Sequence, residues 1–262
     1  LKFAFRQLLK NPGFTAVAVL TLALGIGANT AIFAVLNAIM FRPLEYPEPD
    51  RLVRVHRTSP QSERWPLAVA NFLDLREQNT VFEHVAAFVG LRFSLAEPGE
   101  PAESLRGIAA TADFFPALGV QPALGRVFTP EEDQPGRNQV IVLNHGYWLR
   151  RFAGDTNIVG RTLRIDGESV VVLGVMPASV DNSPLWGPID AWRPLAFTPE
   201  QRRDRQDNWL NALARLKHGV SLSQGQAASK LLADRLAKAY PETNAENSLR
   251  LSLLSESIGD EA

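Results

Sequence analysis

The feature that most constrains this chain is a run near its start, residues 14–41, that contains no charged side chain. A membrane span needs about 20 mostly apolar residues, since a helix rises 1.5 Å per residue. Asn11 can cap a helix and Pro12 fits its first turn, while Pro43 and Pro47 mark the far end. The run therefore predicts a transmembrane helix over residues 14–41.

The residues before this run set the expected orientation. Lys2, Arg6 and Lys10 are basic and have no acid among them, and basic flanks stay in the cytoplasm. A cleaved signal peptide is the alternative, but its apolar stretch spans only about 7–15 residues. We therefore expect a retained anchor in a bacterial inner membrane, with residues 42–262 extracytoplasmic. The mixed apolar and basic residues 1–13 predict a cytoplasmic helix lying in the membrane interface.

Five residues inside the run are candidates for packing against other helices. Ala23, Gly27 and Ala31 are spaced by four, so a second helix could approach closely along that face. Asn29 and Asn37 are polar groups that need partners at membrane depth. Helix packing is favoured over a role in a transport path. One helix cannot form a pathway, so partner helices are implied.

Composition and residue types exclude several functions. The chain has no cysteine, which excludes disulfides and thiolate chemistry, and its net charge of −1 gives no reason to expect a nucleic-acid partner. The four histidines are scattered without ligand spacing, so no metal site is predicted. No phosphate-binding loop with a lysine is present, and no other cofactor is implied.

Local patterns after residue 42 predict an α+β fold. Strands are expected at residues 51–56, 85–95, 102–110, 139–143, 161–165, 169–175, 209–216 and 249–254. Helices are expected at residues 71–78, 111–119, 146–152 and 221–240. Asp166-Gly167 predicts a hairpin turn. Residues 176–199 hold five prolines and predict turns and an irregular edge.

The last predicted helix, residues 221–240, has a cap at Ser221 and ends before Pro241. Its expected apolar residues are Leu222, Ala227, Leu231, Leu232, Leu236 and Ala239. Its polar residues are Lys230, Asp234, Arg235 and Lys238, and a solvated face is the expected arrangement for them.

For each motif with catalytic or ligand-binding residue types, a structural role is favoured over a functional one. Asn144-His145 has catalytic residue types without a serine elbow or paired carboxylates, so a turn into a helix is favoured. Asp155 and Asn157 lack the other ligands of a calcium loop, so a loop closed by side-chain bonds is favoured. The five tryptophans could line a groove, but core and edge packing is favoured; they are Trp65, Trp148, Trp186, Trp192 and Trp209.

An ordered set of short motifs resembles the MacB-type permease family of ABC exporters, in particular the periplasmic core domain that follows the first membrane helix. The likeness is greatest to permeases without a fused ATPase domain. The matching motifs run nearly end to end and include FRQLLKNPGF, LGIGANTAIF, YPEPDRLV, DFFPALG, LGRVFT, YWLRRF, IVGR and VLGVMP.

The resemblance implies two lobes outside the cell membrane. Residues 42–125 and 205–262 would form a mixed α/β lobe, and residues 126–204 an inserted β-rich lobe. Similar proteins have four membrane helices, a separate cytoplasmic ATPase subunit, and a second permease or homo-oligomer, and some act on an envelope partner. In them, ATP-driven helix movement is passed to a non-catalytic outer domain that expels a substrate or acts on that partner.

Two other functions remain open from the residues alone. A sensor domain anchored by one helix would continue into a signalling module. A membrane-tethered envelope enzyme would need a convergent acid, base or nucleophile in a pocket, and the sequence offers no such set.

Overall fold

The computed structural model of the chain describes residues 12–40, 46–97, 99, 101–181, 183 and 185–257. It divides into two compact units, Leu1–Pro43 and Leu44–Ala262. In the first unit a single helix, α1, covers Pro12–Met40. Within the described residues, no helix is both long enough and apolar enough to cross a membrane. Helix α1 covers most of the predicted run 14–41. Its crossing of a membrane stays a prediction, and residues 1–11 and 41 lie outside the described part.

The second unit is α+β, as predicted. Its strands are β1 Leu52–Ser59, β2 Ser62–Trp65, β3 Leu67–Ala68, β4 Phe82–Leu95, β5 Glu103–Ala110, β6 Leu124–Gly125, β7 Val140–Leu143, β8 Thr162–Ile165, β9 Glu168–Val175, β10 Ala191–Pro194, β11 Asn208–Leu216 and β12 Ser248–Leu253. Its α-helices are α2 Val69–Gln78, α3 Phe114–Leu118, α4 His145–Phe152, α5 Leu222–Ala239 and α6 Pro241–Asn244. Most predicted elements therefore exist with their predicted type.

The described strands join into one mixed sheet in the order β12-β1-β11-β4-β5-β10-β7-β9-β6, with β2, β3 and β8 paired beside this path. The long hairpin of β4 and β5 runs in register from Phe88 opposite Ala110 to Leu95 opposite Glu103. Only the pairs β10–β5 and β7–β9 are parallel among these ladders. The β4–β5 hairpin therefore links the strands near the chain ends to the strands of residues 124–194.

Strand β10 is an inner strand that the local sequence patterns did not predict. Residues 176–199 were expected to form turns and an irregular edge, but Ala191–Pro194 is an inner strand with all four residues buried. Its place is fixed by partners distant in sequence: Asp190 N–H donates to Arg106 O at 2.7 Å, and Asn144 N–H donates to Asp190 O at 2.9 Å. Local proline content cannot reveal a strand that tertiary pairing creates.

Three hydrophobic clusters make the core of the second unit. One surrounds Phe114, Phe115 and Trp192 near α3, and one lies beneath α2 and α5 around Phe72 and Leu232. The third surrounds β7, β8, β9 and α4 and includes the β4 residues Phe93 and Leu95. Cores on several layers of helix and sheet are typical of α+β domains.

Helix α5 is held against the sheet edge by two features of its first turns. Ser221 and Gln224 form a reciprocal capping box, as the predicted cap requires. The side chain of Gln226 donates to Leu249 O and accepts from Leu251 N–H, both at 2.8 Å. These bonds satisfy backbone groups on the outer edge of β12, which would otherwise be open to another strand.

The buried face of α5 differs from the predicted one. Leu232 and Leu236 are buried as expected, but Leu231 is 61% exposed and Ala227 and Ala239 are also exposed. Gly225 and Ser229 take their place against the sheet. A side chain at Gly225 would meet Leu216 Cδ2 at 2.7 Å, so this close approach requires glycine.

The predicted division into two lobes remains a prediction. Strands from residues 126–204 and from the flanking sequence share one hydrogen-bonded sheet, and the second unit is described as one body.

Candidate functional site: the junction of the two ends of the domain

The two ends of the second unit meet at one place, which we call the junction. It comprises the incoming segment, residues 46–51, the end of β11 with the turn after it, and the closing turn Leu254–Ser257. Pro49–Arg51 lies beside Leu254–Ser257. Tyr46 and Leu254 are buried in the same hydrophobic cluster. The first and last described segments of the second unit therefore lie in contact with each other.

Arg51 ties the incoming segment to two strands. Its Nε donates to Leu216 O at 2.8 Å, and its Nη2 donates to Glu83 Oε2 at 2.5 Å. Its Nη1 donates to Glu48 Oε2 at 2.6 Å and to His218 Nε2 at 2.9 Å. One guanidinium thus joins the segment to β4 and β11, and its planar set of donors suits several acceptors at fixed angles.

Arg215 anchors the same segment from inside the domain. It is 5% exposed; its Nε donates to Ala117 O at 2.7 Å and its Nη2 donates to Pro47 O at 3.0 Å. Gly119 ends α3 with φ of 71°, and a side chain there would lie 3.2 Å from Arg215 Nη2. This glycine therefore serves both the left-handed helix end and the passage of the arginine.

Glu48 joins the two arginines. Its Oε2 lies 2.6 Å from Arg51 Nη1 and 4.0 Å from Arg215 Nη1. The backbone of Glu48 is left-handed, with φ of 48° and ψ of 59°, a conformation that is uncommon for a residue with a Cβ. We infer that the ion pairs and the adjacent bonds to Pro47 keep the segment in this conformation.

Tyr46 fastens the incoming segment to the loop before β10. Its hydroxyl donates to Ser183 Oγ at 3.0 Å and accepts from Trp186 Nε1 at 3.1 Å. Trp186 in turn packs edge-on against Phe88 with ring centroids 4.9 Å apart. The aromatic contacts extend from the incoming segment into the centre of the sheet.

Electrostatics at the junction favour the charged form of Glu83. The hydrogen bond from Arg51 lowers the pKa of Glu83. Burial lowers the pKa of Arg215, with nearby Arg51 adding to the effect, but an arginine stays charged at any physiological pH. Glu83 and Arg215 are therefore both charged near neutral pH.

The residues that the sequence offered as catalytic or calcium-binding candidates make local contacts that stabilise the fold. Asn144 caps α4 by accepting from Tyr147 N–H at 3.1 Å, and His145 Nδ1 lies 3.4 Å from Asp181 Oδ2. Asp155 Oδ1 accepts from Asn157 N–H at 2.9 Å, which closes the loop as predicted. Within the described ranges, no group of three or more His, Cys, Asp or Glu residues could hold a metal ion.

The tryptophans and the helix-packing candidates are dispersed. Trp192 is buried and Trp186 packs against the same cluster, whereas Trp65 is 43% exposed. In α1, Ala23, Gly27, Asn29 and Ala31 are exposed, and Asn37 lies in the last turns of the helix. Their role in helix packing stays a prediction.

A second polar site escaped the sequence analysis. It lies in residues 126–139, which connect β6 to β7 and which we call the strap. Asp133 in the strap is 8% exposed and its Oδ2 accepts from Ala112 N–H at 2.8 Å. Its Oδ1 has no hydrogen-bond partner in the described part of the chain. Burial raises the pKa of Asp133 to about 7.

Three solved structures share the fold of this chain. A domain of a permease protein from Porphyromonas gingivalis matches 80% of this chain and 92% of its own, with 16% identity and a TM-score of 0.59. The periplasmic region of MacB from Actinobacillus actinomycetemcomitans matches with the same coverage and identity and a TM-score of 0.55. The extracellular domain of the ABC-type transporter YknZ from Gram-positive bacteria matches 76% of this chain and 99% of its own, with 14% identity and a TM-score of 0.53.

The sequence comparisons lead to the same class. The macrolide export ATP-binding/permease proteins MacB of Salmonella typhi and Salmonella typhimurium are 29% identical over 133 residues, or 49% of this chain. The match spans only 20% of the length of those relatives. The family model of the MacB-like periplasmic core domain matches residues 15–231. The chain belongs to the MacB-like periplasmic core domain family, which confirms the resemblance seen in its motifs.

Proposed function

We propose that this chain supplies the extracytoplasmic domain of an ABC-type permease and works as a mechanical element without a catalytic site of its own. Family membership supports the permease assignment. The relatives named as export ATP-binding/permease proteins are much longer than the matched region. The activity of the whole protein is therefore part of the proposal.

The observation that carries the proposal is the junction. A domain moved by its flanking segments needs both of its ends at one point and firmly joined to the core. Arg51 and Arg215 provide such joints, with bonds to Leu216 O, Ala117 O and Pro47 O. Movement of the flanking segments would then displace the domain as a body, as in hinge motions about a small number of residues.

The partners follow from this mechanism. A separate cytoplasmic ATPase subunit would supply the energy, and a second permease or a second copy of this protein would complete the assembly. The domain would lie outside the inner membrane of a bacterial cell, where its movement expels a substrate or acts on an envelope partner. These roles rest on the family and on the geometry of the junction.

A division of labour between two lobes belongs to the same proposal. Residues 42–125 and 205–262 contain the junction, and residues 126–204 would be the lobe carried by it. The separate hydrophobic cluster around β7, β9 and α4 supports this division. The long β4–β5 hairpin, which contributes Phe93, Leu95 and Leu105 to that cluster, would transmit movement between the lobes.

The test is a distance measurement in the intact permease with its ATPase subunit. These 262 residues contain no cysteine. In a permease whose cysteines elsewhere are replaced, a single Lys238→Cys substitution places one spin label on the exposed face of α5 in each copy. We expect the label distance between two copies to differ between the nucleotide-free complex and the complex with trapped ATP. Arg51→Ala should reduce this difference, while Arg164→Ala, at an exposed position on β8, should preserve it.

An identical distance distribution in both nucleotide states would refute mechanical coupling to ATP. A distribution that shifts with an added solute, and not with nucleotide, would favour the sensor domain over the permease domain.

A further inference from the structure

A groove between α2 and α5 has the features of a ligand site. It has a volume of about 310 Å³, at the lower end of the range of about 300–1,000 Å³ typical of small-molecule pockets. Leu75, Thr80 and Phe82 line one side, and Ser229, Leu231 and Arg235 line the other. We call it the α2–α5 groove, and it is separate from the junction residues.

Its apolar surface includes a residue that the helix pattern places in the core. Leu231 was expected on the buried face of α5, yet 61% of its surface is exposed. Leu75 and Phe82 on the opposite side are buried beneath the groove. An exposed leucine above an apolar floor offers contact area to an apolar chain.

Two polar groups in the groove also lack partners. The hydroxyl of Ser229 is buried, and no described residue lies within hydrogen-bond distance of it; a buried hydroxyl without a partner is unfavourable. Arg235 is exposed on the rim, and no described carboxylate forms an ion pair with it, whereas neighbouring Lys230 is paired with Asp234 at 2.8 Å. The groove thus combines a free cation with a buried donor.

We propose that the α2–α5 groove binds a small amphiphilic carboxylate, with its apolar chain against Leu231 and its acid group at Arg235. Ser229 lies in the groove wall with its hydroxyl covered by neighbouring atoms, so Arg235 is the polar group that meets the acid. The charge of Arg235 selects an anion, and the apolar lining selects a chain of a size that the volume can hold. This site is independent of the proposed mechanical function and can be tested without nucleotide.

The experiment is a fluorescence titration of the intact chain with decanoate as the probe. An environment-sensitive dye is attached at Gln78→Cys, an exposed position on the groove rim. A second preparation carries the same dye at Lys238→Cys, outside the groove, to report general partitioning. Decanol serves as a probe of similar chain length without charge, and an apolar peptide amide tests for a protein ligand.

We expect saturable binding of decanoate that is reported at residue 78 and not at residue 238. Arg235→Gln should weaken decanoate binding at least tenfold and leave decanol binding unchanged, while the matched change Lys238→Gln should have no effect. Ala228→Trp should fill the groove and abolish binding of both probes. Because Arg235 is exposed, its variant tests the site even if Ala228→Trp fails to fold.

Several results would overturn the proposal. Equal signals from both dye positions would mean that decanoate only partitions onto apolar surface. Equal affinity for decanoate and decanol would remove the role of Arg235, and preferential binding of the peptide amide would assign the groove to a protein partner.

Discussion

The junction and the strap each contain one buried ionisable side chain, and the two side chains differ in how many polar partners they have. Arg215 in the junction is 5% exposed and Asp133 in the strap is 8% exposed. Arg215 donates to two backbone carbonyl groups and lies 4.0 Å from Glu48. Asp133 accepts one backbone bond and leaves its Oδ1 without a partner among the described residues.

The difference teaches that burial alone does not say whether a charge stabilises the fold. A buried charge with several aligned partners recovers part of its lost hydration, whereas one with few partners is destabilising when ionised. The junction is therefore expected to stay intact across neutral pH. The strap is expected to weaken as Asp133 loses its proton.

The largest expected effect comes from removing the charge that is well paired. Arg215→Ala leaves Ala117 O and Pro47 O without their donor, and we expect a loss of roughly 3 kcal/mol in the free energy of unfolding. Urea denaturation measures this loss. Arg164→Ala, at an exposed position, should change stability by less than about 0.5 kcal/mol. A loss below about 1 kcal/mol for Arg215→Ala would contradict the conclusion that the paired, buried Arg215 stabilises the fold.

The next effect concerns the poorly paired charge and its dependence on pH. Burial raises the pKa of Asp133 from its ordinary value of 3.8 to about 7 in the folded chain, so the folded state holds the proton more tightly. Stability from this group is therefore greatest at low pH and is lost as the pH rises from about 4 to about 7. Between pH 5 and pH 8 we expect a loss of roughly 2 kcal/mol.

Asp133→Asn isolates this contribution. The amide oxygen can still accept from Ala112 N–H, but the charge is gone, so the variant should be more stable than the wild type at pH 8 and nearly equal at pH 5. Thermal denaturation at both pH values measures the change. Glu131→Gln, also in the strap and exposed, is the control. A wild-type pH dependence that persists in Asp133→Asn would rule out this carboxyl group as its source.

The smallest effect is expected at the outer part of the junction. The acids around Arg51 are half-exposed, with Glu48 at 51% and Glu83 at 45% side-chain exposure, and such pairs contribute little. We expect Arg51→Ala to cost about 1 kcal/mol, with part of this cost disappearing at high salt. Denaturation at two ionic strengths measures it. A salt-independent cost above about 3 kcal/mol would show that Arg51 contributes to stability as strongly as the buried Arg215.

Local signals explain which parts of this fold could be predicted. The alternation in residues 209–216 and the cap at Ser221 correctly predicted β11 and α5, because each depends on neighbours in sequence. Strand β10 was missed because the backbone hydrogen bonds at its start are made with Arg106 and Asn144, which are remote in sequence. Leu231 was assigned to the buried face because the apolar residues of α5 follow a helical period around it. The structure instead turns the face with Gly225 and Ser229 toward the sheet, and the period alone does not show that choice.

The junction and the strap were also beyond local patterns. The motif of residues 46–53 helped to recognise the family, but nothing in it shows that Arg51 meets Glu83 and His218. Asp133 lies among polar residues of a loop, and its burial arises from packing near Ala112. Charge networks of this kind depend on contacts across more than 20 residues of sequence, which periodicity does not encode.

We propose that the junction joins both ends of the domain into one rigid unit. The most direct measurement places spin labels at Asp50→Cys and Glu256→Cys, both exposed, in single labelled copies diluted with unlabelled ones in the intact permease. We expect one narrow distance distribution that is the same with and without nucleotide. A broad distribution, or one that shifts with nucleotide, would contradict it, because the two ends would then move independently.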